Sequence, residues 1–495
     1  MAVNSRLGLL RRSPSFGLLF LATAGSSFGT YIAAVALTLH IEELTGSPIW
    51  VAGLLIADFL PIVLIGLLLG PLVDRLSRRS LMIVSDLARF AVFAVLPFTD
   101  SPGVIVALAA VAGVATGFFR PAAFAGLPNL VPDDELTNAN SLLQTVETLA
   151  WMTGPIVGAL MFMVWGPDAP YAVNALTFLV SVGLIAAIPE AKLRSEESLT
   201  RGHWRDVADG LRLVVTSAPL RTVLVVWNVV ILASAAVNVA EVFFAVETLD
   251  AGELGFGVIV AASGVGLAVG SYLAAPSLGS IGLRRHYAGS IALMGAGWGI
   301  AAFATSIWVA VPFIVAGAAG NGAAIVCNQV LVQRGAPDRF RGRALATIMS
   351  SNYAVLGLAM AASGLLTEAF GARWVWVAAG AVYFFAAAVA LVMTRWMPAA
   401  ADQQEEAVET EARAAASVLA SNGSDDGAPA PVIDITPVRE SVADRAPVAD
   451  PAPESLRVSA EDAEEDAATT GLERIASLLE RIERRRELEA RRPQN

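Results

Sequence analysis

The chain alternates long apolar runs with short polar breaks from near its start to Met397. Runs such as Val375 to Met393 are apolar on every face and lack the two-residue alternation of a membrane strand. Lipid offers no hydrogen-bond partners, so a segment of this kind satisfies its backbone only as a helix. At about 20 residues per crossing, the pattern predicts twelve spans, near 15–41, 49–73, 80–98, 103–127, 139–165, 170–189, 219–246, 255–280, 287–305, 307–333, 344–370 and 375–397. The first run is longer than a signal-peptide core and no small-residue cleavage site follows it, so it reads as an uncleaved span.

Beyond Met397 the pattern stops. Residues 398–469 are dominated by Ala, Glu, Asp, Pro and Ser, too poor in large apolar side chains to bury a core, and disorder is expected there. In 470–492, Leu472, Ile475, Leu479 and Ile482 recur at helical spacing and predict a short amphipathic helix. It could pair with another helix, lie on anionic headgroups or stay solvated, and its partner is unknown.

Composition sharpens the class. Mean hydropathy is +0.63 and 16% of residues are charged, against about 25% in soluble chains. The net charge of −11 belongs to the tail, which holds 22 of the 44 acidic residues and 11 of the 33 basic ones, so the acidic balance carries no information about cargo. In the twelve-span reading nineteen basic residues fall on one side in the loops and only Arg373 on the other. That asymmetry places both termini in the cytoplasm. Lys192 is the single lysine, and with the abundant alanine this resembles a GC-rich bacterial genome, hence a bacterial plasma (inner) membrane. Cys327 is the only cysteine and the three histidines are scattered, so neither a disulfide nor a metal cluster is expected; nothing suggests a cofactor, a nucleic-acid partner or a phosphate-binding loop ending in Gly-Lys.

The halves repeat. Arg78-Arg79 recurs as Arg284-Arg285 and Gly46 as Gly252 at an offset of 206, and Pro132-Asp133 as Pro337-Asp338 at 205. An even number of spans separates the copies, so they run parallel about an axis along the membrane normal. The expected organisation is a six-helix bundle over 1–189, a cytoplasmic linker over 190–218, a second six-helix bundle over 219–397, and the tail. The fold class is therefore an all-α membrane protein of two pseudo-symmetric six-helix bundles with a mostly disordered cytoplasmic tail.

Between the second and third spans, "GPLVDRLSRR" resembles the signature loop of the major facilitator superfamily, with Ser77 where a second glycine is usual. "GPIVGA" in the fifth span (Gly154, Pro155, Gly158, Ala159) is similar to the motif of that superfamily's antiporters, with Ala159 in place of a glycine; a helix-packing seam is the alternative reading. Phe118 to Met161 looks most like the branch holding macrolide-efflux-like and enterobactin-exporter-like proteins. The resemblance implies two bundles rocking about a central cavity, with Gly70, Asp74, Arg75, Arg78 and Arg79 as a gating loop in which Asp74 meets the start of the eleventh span. An anchor for topology is the alternative role of that loop.

Charges inside spans are costly, at least about 2.5 kcal/mol near the midplane, and mark function. Asp86 and Arg89 share a face of the third span, and Arg120 lies at a similar depth in the fourth; the three are expected to form one paired network. Glu147, Asp58 and Glu241 have no evident partner and are the proton-coupling candidates, with simple solvation an equal reading for Glu241. Thr30, Gln144, Trp151, Asn228, Asn238, Asn321, Asn328 and Asn352 are candidates for lining a substrate cavity, along with Trp227 and Trp298; bonding to a neighbouring helix is the competing role. Amides mixed with aromatics suit a small amphipathic organic compound, drug-like or siderophore-like, exchanged for protons by a non-enzymatic transporter in the bilayer. A lipid or lysolipid flippase, or an uptake permease, on the same fold is the alternative.

Overall fold

The computed structural model describes residues 8–68, 76–193, 211–336 and 338–396. Gly70, Asp74 and Arg75 of the signature loop, most of the expected linker, and the tail with its amphipathic segment lie outside them. Among the described residues twelve long helices follow in order. The first six are α1 (Pro14–Thr45), α2 (Pro48–Leu68), α3 (Arg78–Val95), α4 (Pro102–Gly126), α5 (Leu136–Trp165) and α6 (Asp168–Ala186). The last six are α7 (Ala218–Phe243), α8 (Gly252–Ile281), α9 (Leu283–Ala301), α10 (Ile307–Gly335), α11 (Asp338–Phe370) and α12 (Ala372–Met393). Eleven of them are long and apolar enough to cross a membrane; α9 falls short because Arg284, Arg285 and His286 occupy its first turn.

Packing repeats between the halves. Helix α1 packs on α5 and α6, α2 on α4, and α3 on α4 and α6. Correspondingly α7 packs on α11 and α12, α8 on α10, and α9 on α10 and α12, which is the first set with six added to every label. The two sets of six meet through α5 on α8 and α2 on α11, a pair of contacts that the same operation exchanges. The turn glycines of the repeat behave alike: Gly46 (φ 55°) and Gly252 (φ 60°) both hold the left-handed conformation that side chains with a Cβ avoid.

Two ends can be distinguished. Arg78, Arg79, Arg284, Arg285, Arg334 and Arg343 lie at what we term the basic end, and the turns at Gly46, Gly166 and Gly371 at the far end. At the basic end Arg12 pairs with Glu135 at 2.9 Å, and Arg79 donates to the carbonyl of Ala186, where the α6 dipole is negative. Ser77 caps α3: its Oγ accepts from the Ser80 N–H at 3.4 Å, with φ −60° at Ser77. A left-handed residue is not needed at position 77, so a serine can stand where a glycine is usual. Ser77→Ala should lower stability by about 1 kcal/mol and Ser77→Gly by only a few tenths, read as apparent Tm in detergent.

Candidate functional site

Four side chains from four helices of the first bundle converge at mid-depth. Tyr31 sits midway along α1. Asp58 is about 15 Å along α2 and Glu147 about 16 Å along α5, and Arg120 lies about 9 Å from the basic end of α4. Each of α2, α4 and α5 carries an internal proline, Pro61 three residues after Asp58, Pro121 next to Arg120 and Pro155 two turns after Glu147, and each removes one backbone hydrogen-bond donor. Arg120 Nη2 donates to both oxygens of Glu147, at 3.1 and 3.3 Å. Tyr31 lies within electrostatic reach of Glu147, Arg120 and Asp58.

The Arg120 side chain is 54% exposed and that of Glu147 20%. Asp58 is exposed as well and, among the described residues, makes no ion pair. Open charges halfway along membrane helices require water around them, so the cluster faces an aqueous space and not hydrocarbon. Two acids and one base leave it with one carboxylate in excess.

This arrangement corrects the expected pairings. Glu147 does have a partner, Arg120, and Arg120 belongs with Glu147, not with Asp86 and Arg89. The reason is geometric: α4 presents Arg120 toward α5, whereas α3 keeps its own pair to itself. Asp86 and Arg89 bond directly, both buried. The Arg89 guanidinium lies between the rings of Phe119, at 4.5 Å, and Phe178, at 4.4 Å. Enclosed by α4 and α6 in this way, the pair ties the outer helix α3 into the bundle.

Glu241 is also not solvated. It is buried on α7, with Oε1 lacking a hydrogen-bond partner among the described residues. Its helical face is turned to α12: Ser234 bonds the Tyr383 hydroxyl at 2.9 Å, the Trp376 indole donates to the Val237 carbonyl at 3.4 Å, and Phe244 stacks on Trp376 at 4.0 Å. Trp298 meets Trp376 edge-on at 5.2 Å and is buried in the second bundle, which removes it from the cavity candidates.

The remaining candidates divide. Asn228 donates to Ser351 on α11 at 2.9 Å and Asn328 accepts from Tyr287 on α9 at 2.7 Å, so both amides join helices within the second bundle. Thr30, Gln144 and Asn238 are exposed, and Trp151, Trp227, Asn321 and Asn352 half-buried.

Gly154, Pro155 and Gly158 occupy a junction. A Cβ on Gly158 would lie 2.4 Å from the Ile32 carbonyl oxygen, and one on Gly154 2.7 Å from Tyr31 Cβ, so the glycines let α5 touch α1 beside the cluster. The other face of the motif receives α8, where a Cβ on Gly257 would lie 2.6 Å from Ala159 Cβ and 2.8 Å from the Pro155 oxygen. The matching contact on the other side sets Gly364 of α11 against Pro48, Ile49 and Ala52 of α2. Ser47 donates to Glu368 at 3.5 Å, Glu42 faces Glu247 and Glu253, and Phe59 meets Tyr353 with centroids 5.5 Å apart. Among the described residues these inter-bundle contacts lie at mid-depth or toward the far end.

Tyr31 and Gly113 were not singled out in the sequence. Gly113 lets α4 approach the backbone of Asp58, where a Cβ would lie 2.4 Å from the Asp58 oxygen. Pro61 and Pro121, close to Asp58 and Arg120, were the available signal.

Comparison with known proteins adds to this geometry. Residues 6–424 match the family described as transmembrane secretion effector, MFS_3. Over 217 residues the chain is 27% identical to Macrolide efflux protein A of Streptococcus pyogenes, covering 43% of this chain and 54% of that protein, so it spans only about half the length of that relative. Over 402 residues it is 27% identical to Multidrug efflux pump Tap of Mycolicibacterium fortuitum, covering 78% of this chain and 97% of the pump. Among solved structures, a bacterial homologue of the human lysosomal transporter Spinster, in an inward-facing and unoccupied conformation, superposes with a TM-score of 0.64 at 13% identity, over 78% of this chain and 99% of that one. At that identity the likeness establishes the fold alone.

Proposed function

The chain belongs to the transmembrane secretion effector family of major facilitator transporters, and from that premise we propose that it exports a small amphipathic organic compound in exchange for protons. The observation that carries this reading is the mid-depth cluster of a paired acid, an unpaired acid and one arginine, all open enough to need water around them, while the contacts between the bundles among the described residues lie at mid-depth or toward the far end. Intramembrane carboxylates kept open to water in this way are suited to gain and lose protons as access alternates. The efflux activities named for the relatives support the direction.

We assign the basic end to the cytoplasm of a bacterial inner membrane, with both termini there, on the positive-inside bias. The far-end contacts then close the outer side, and this conformation faces inward. Asp58 takes the proton-exchanging role. Glu147 takes it when Arg120 turns to the cargo and leaves the carboxylate unpaired. Glu241, sealed against α12, exchanges only in a state that opens the α7–α12 seam. Exposed Thr30 and Gln144 flank the cluster in sequence and contact the polar part of the cargo.

Purified protein in vesicles with an imposed pH gradient tests this with a panel of amphipathic antibiotics and siderophore precursors. Cargo should accumulate against its gradient and a protonophore should abolish the accumulation. Asp58→Asn should reduce it at least tenfold and leave cargo exchange between the two sides intact. Undiminished accumulation in Asp58→Asn and Glu147→Gln alike removes the coupling assignment; accumulation indifferent to the pH gradient removes proton exchange itself.

A further inference from the structure

The arginine pair that opens α9 is left without a counter-charge. In the first half the matching pair is answered within the chain: Arg79 donates to the Ala186 carbonyl at the end of α6, and Asp74 stands in the same loop. The second copy keeps the arginines and lacks the acid, since Ser280 stands 206 positions after Asp74. Arg284 and Arg285 are both exposed, and among the described residues neither makes an ion pair or a hydrogen bond.

The helices around the pair offer it nothing. Helix α9 packs on α10 and α12, and none of the three contains an aspartate or a glutamate. Helix α8, which leads into α9, has one, Glu253, in its first turn at the far end. The next acid along the chain, Asp338, opens α11, which is not among the helices packed on α9. Cations gather at this end instead, with Arg334 in the last turn of α10 and Arg395 just after α12. The start of α9 adds the positive pole of its own dipole. Charge of one sign, concentrated in this way, attracts an anion from outside the chain.

The bilayer reaches this corner directly. Helix α9 is not among the helices that meet the first bundle, so its exposed side faces hydrocarbon. Arg285 heads a stripe with Gly289, Leu293 and Ile300, which lie on one side of the helix and are all exposed. From Tyr287 to Ala301 the apolar stretch of α9 rises about 21 Å, against about 30 Å of hydrocarbon. A stretch that short draws the headgroup layer toward its charged end. A phospholipid brings a phosphate to the arginines and acyl chains to the stripe in one molecule, whereas a free anion satisfies the arginines alone.

We propose that the basic end of α9 is a binding site for an anionic phospholipid, its phosphate held by Arg284 and Arg285 and an acyl chain lying along Gly289, Leu293 and Ile300. The lipid supplies the counter-charge that Asp74 and the end of α6 bring to the first half, and it holds the shortest apolar stretch of the second bundle at its depth in the membrane. Nothing in this site depends on the cargo or on proton exchange.

Native mass spectrometry of the full-length protein in detergent, offered phosphatidylglycerol or phosphatidylcholine with the same acyl chains, tests this. The wild type should retain one phosphatidylglycerol molecule at a lipid concentration about tenfold lower than phosphatidylcholine requires. Arg284→Gln with Arg285→Gln should abolish that preference, and lysine at both positions, which keeps the charge, should preserve it. Arg212→Gln with Arg221→Gln removes two charges near the start of α7 and should leave the preference as it was. Should the double glutamine variant not fold, Arg285→Gln alone carries the same expectation at smaller size. A preference that survives in the glutamine variants, or falls equally in the α7 control, overturns the site. Displacement of the lipid by inorganic phosphate at matching concentration also overturns it, since the arginines would then hold an ion and not a lipid.

Discussion

Replacing Arg120 with glutamine is expected to lower the proposed proton-driven export at least tenfold while leaving the amount of folded protein unchanged. Arg120 neutralises Glu147 through two contacts of one nitrogen, and it is the only cation of the mid-depth cluster. Without it, Glu147 and Asp58 face the same aqueous space beside Tyr31 as two unpaired acids. An acid left without its counter-charge inside a span is costly and disturbs the balance of charge that the cycle needs. The fold should survive, because a pair with its arginine 54% exposed to water contributes little to stability. Adding Glu147→Gln removes the stranded acid; the double variant should regain cargo exchange across the membrane but not accumulation against a gradient. Measured side by side in vesicles, exchange and accumulation separate the two effects. A single variant that accumulates cargo like the wild type would show that Arg120 has no part in transport.

The fold was readable because its information is one-dimensional. Twelve apolar runs, a basic bias at alternate breaks and a 206-residue repeat fixed the number of helices and the equivalence of the halves, which the matching packing of α1–α6 and α7–α12 bears out. The site was readable only as far as burial cost picks out residue types. Asp58, Glu147 and Arg120 were marked by their place inside spans, yet their partners depend on how α4 and α5 are rotated against each other, which spacing along one helix does not record. Asp86 and Arg89 were paired correctly because three residues apart on one helix is a local relation. The amides of Asn228 and Asn328 were ambiguous for the same reason that the Arg120 pairing was missed. Whether an amide meets Ser351, Tyr287 or a cavity is decided by a neighbour more than 40 positions away.

Leucine at both Gly257 and Gly364 should block closure of the far end and with it transport. These glycines sit at the two symmetry-related places where the bundles touch, α8 on α5 and α11 on α2. A Cβ alone at Gly364 comes within 3.0 Å of Ala52 Cβ and 3.1 Å of the Pro48 oxygen, and at Gly257 within 2.6 Å of Ala159 Cβ, so the remaining atoms of leucine have nowhere to go while the bundles stay in contact. Overpacking costs about 1–3 kcal/mol per site, and the sites lie on opposite flanks of the boundary, so the costs should nearly add. A shift of that size turns a closed far end into a minor state. Each bundle keeps its own internal packing, so the variant should be made in normal amount. Spin labels near the far ends of α2 and α11 should report a longer distance than in the wild type, and export should fall at least tenfold. Gly357→Ala on the same face of α11 is the control, since a Cβ there meets nothing within 4 Å. If the double leucine variant kept the wild-type distance, the contacts at Gly257 and Gly364 would not be what closes the far end, and the inward-facing assignment would lose its structural basis.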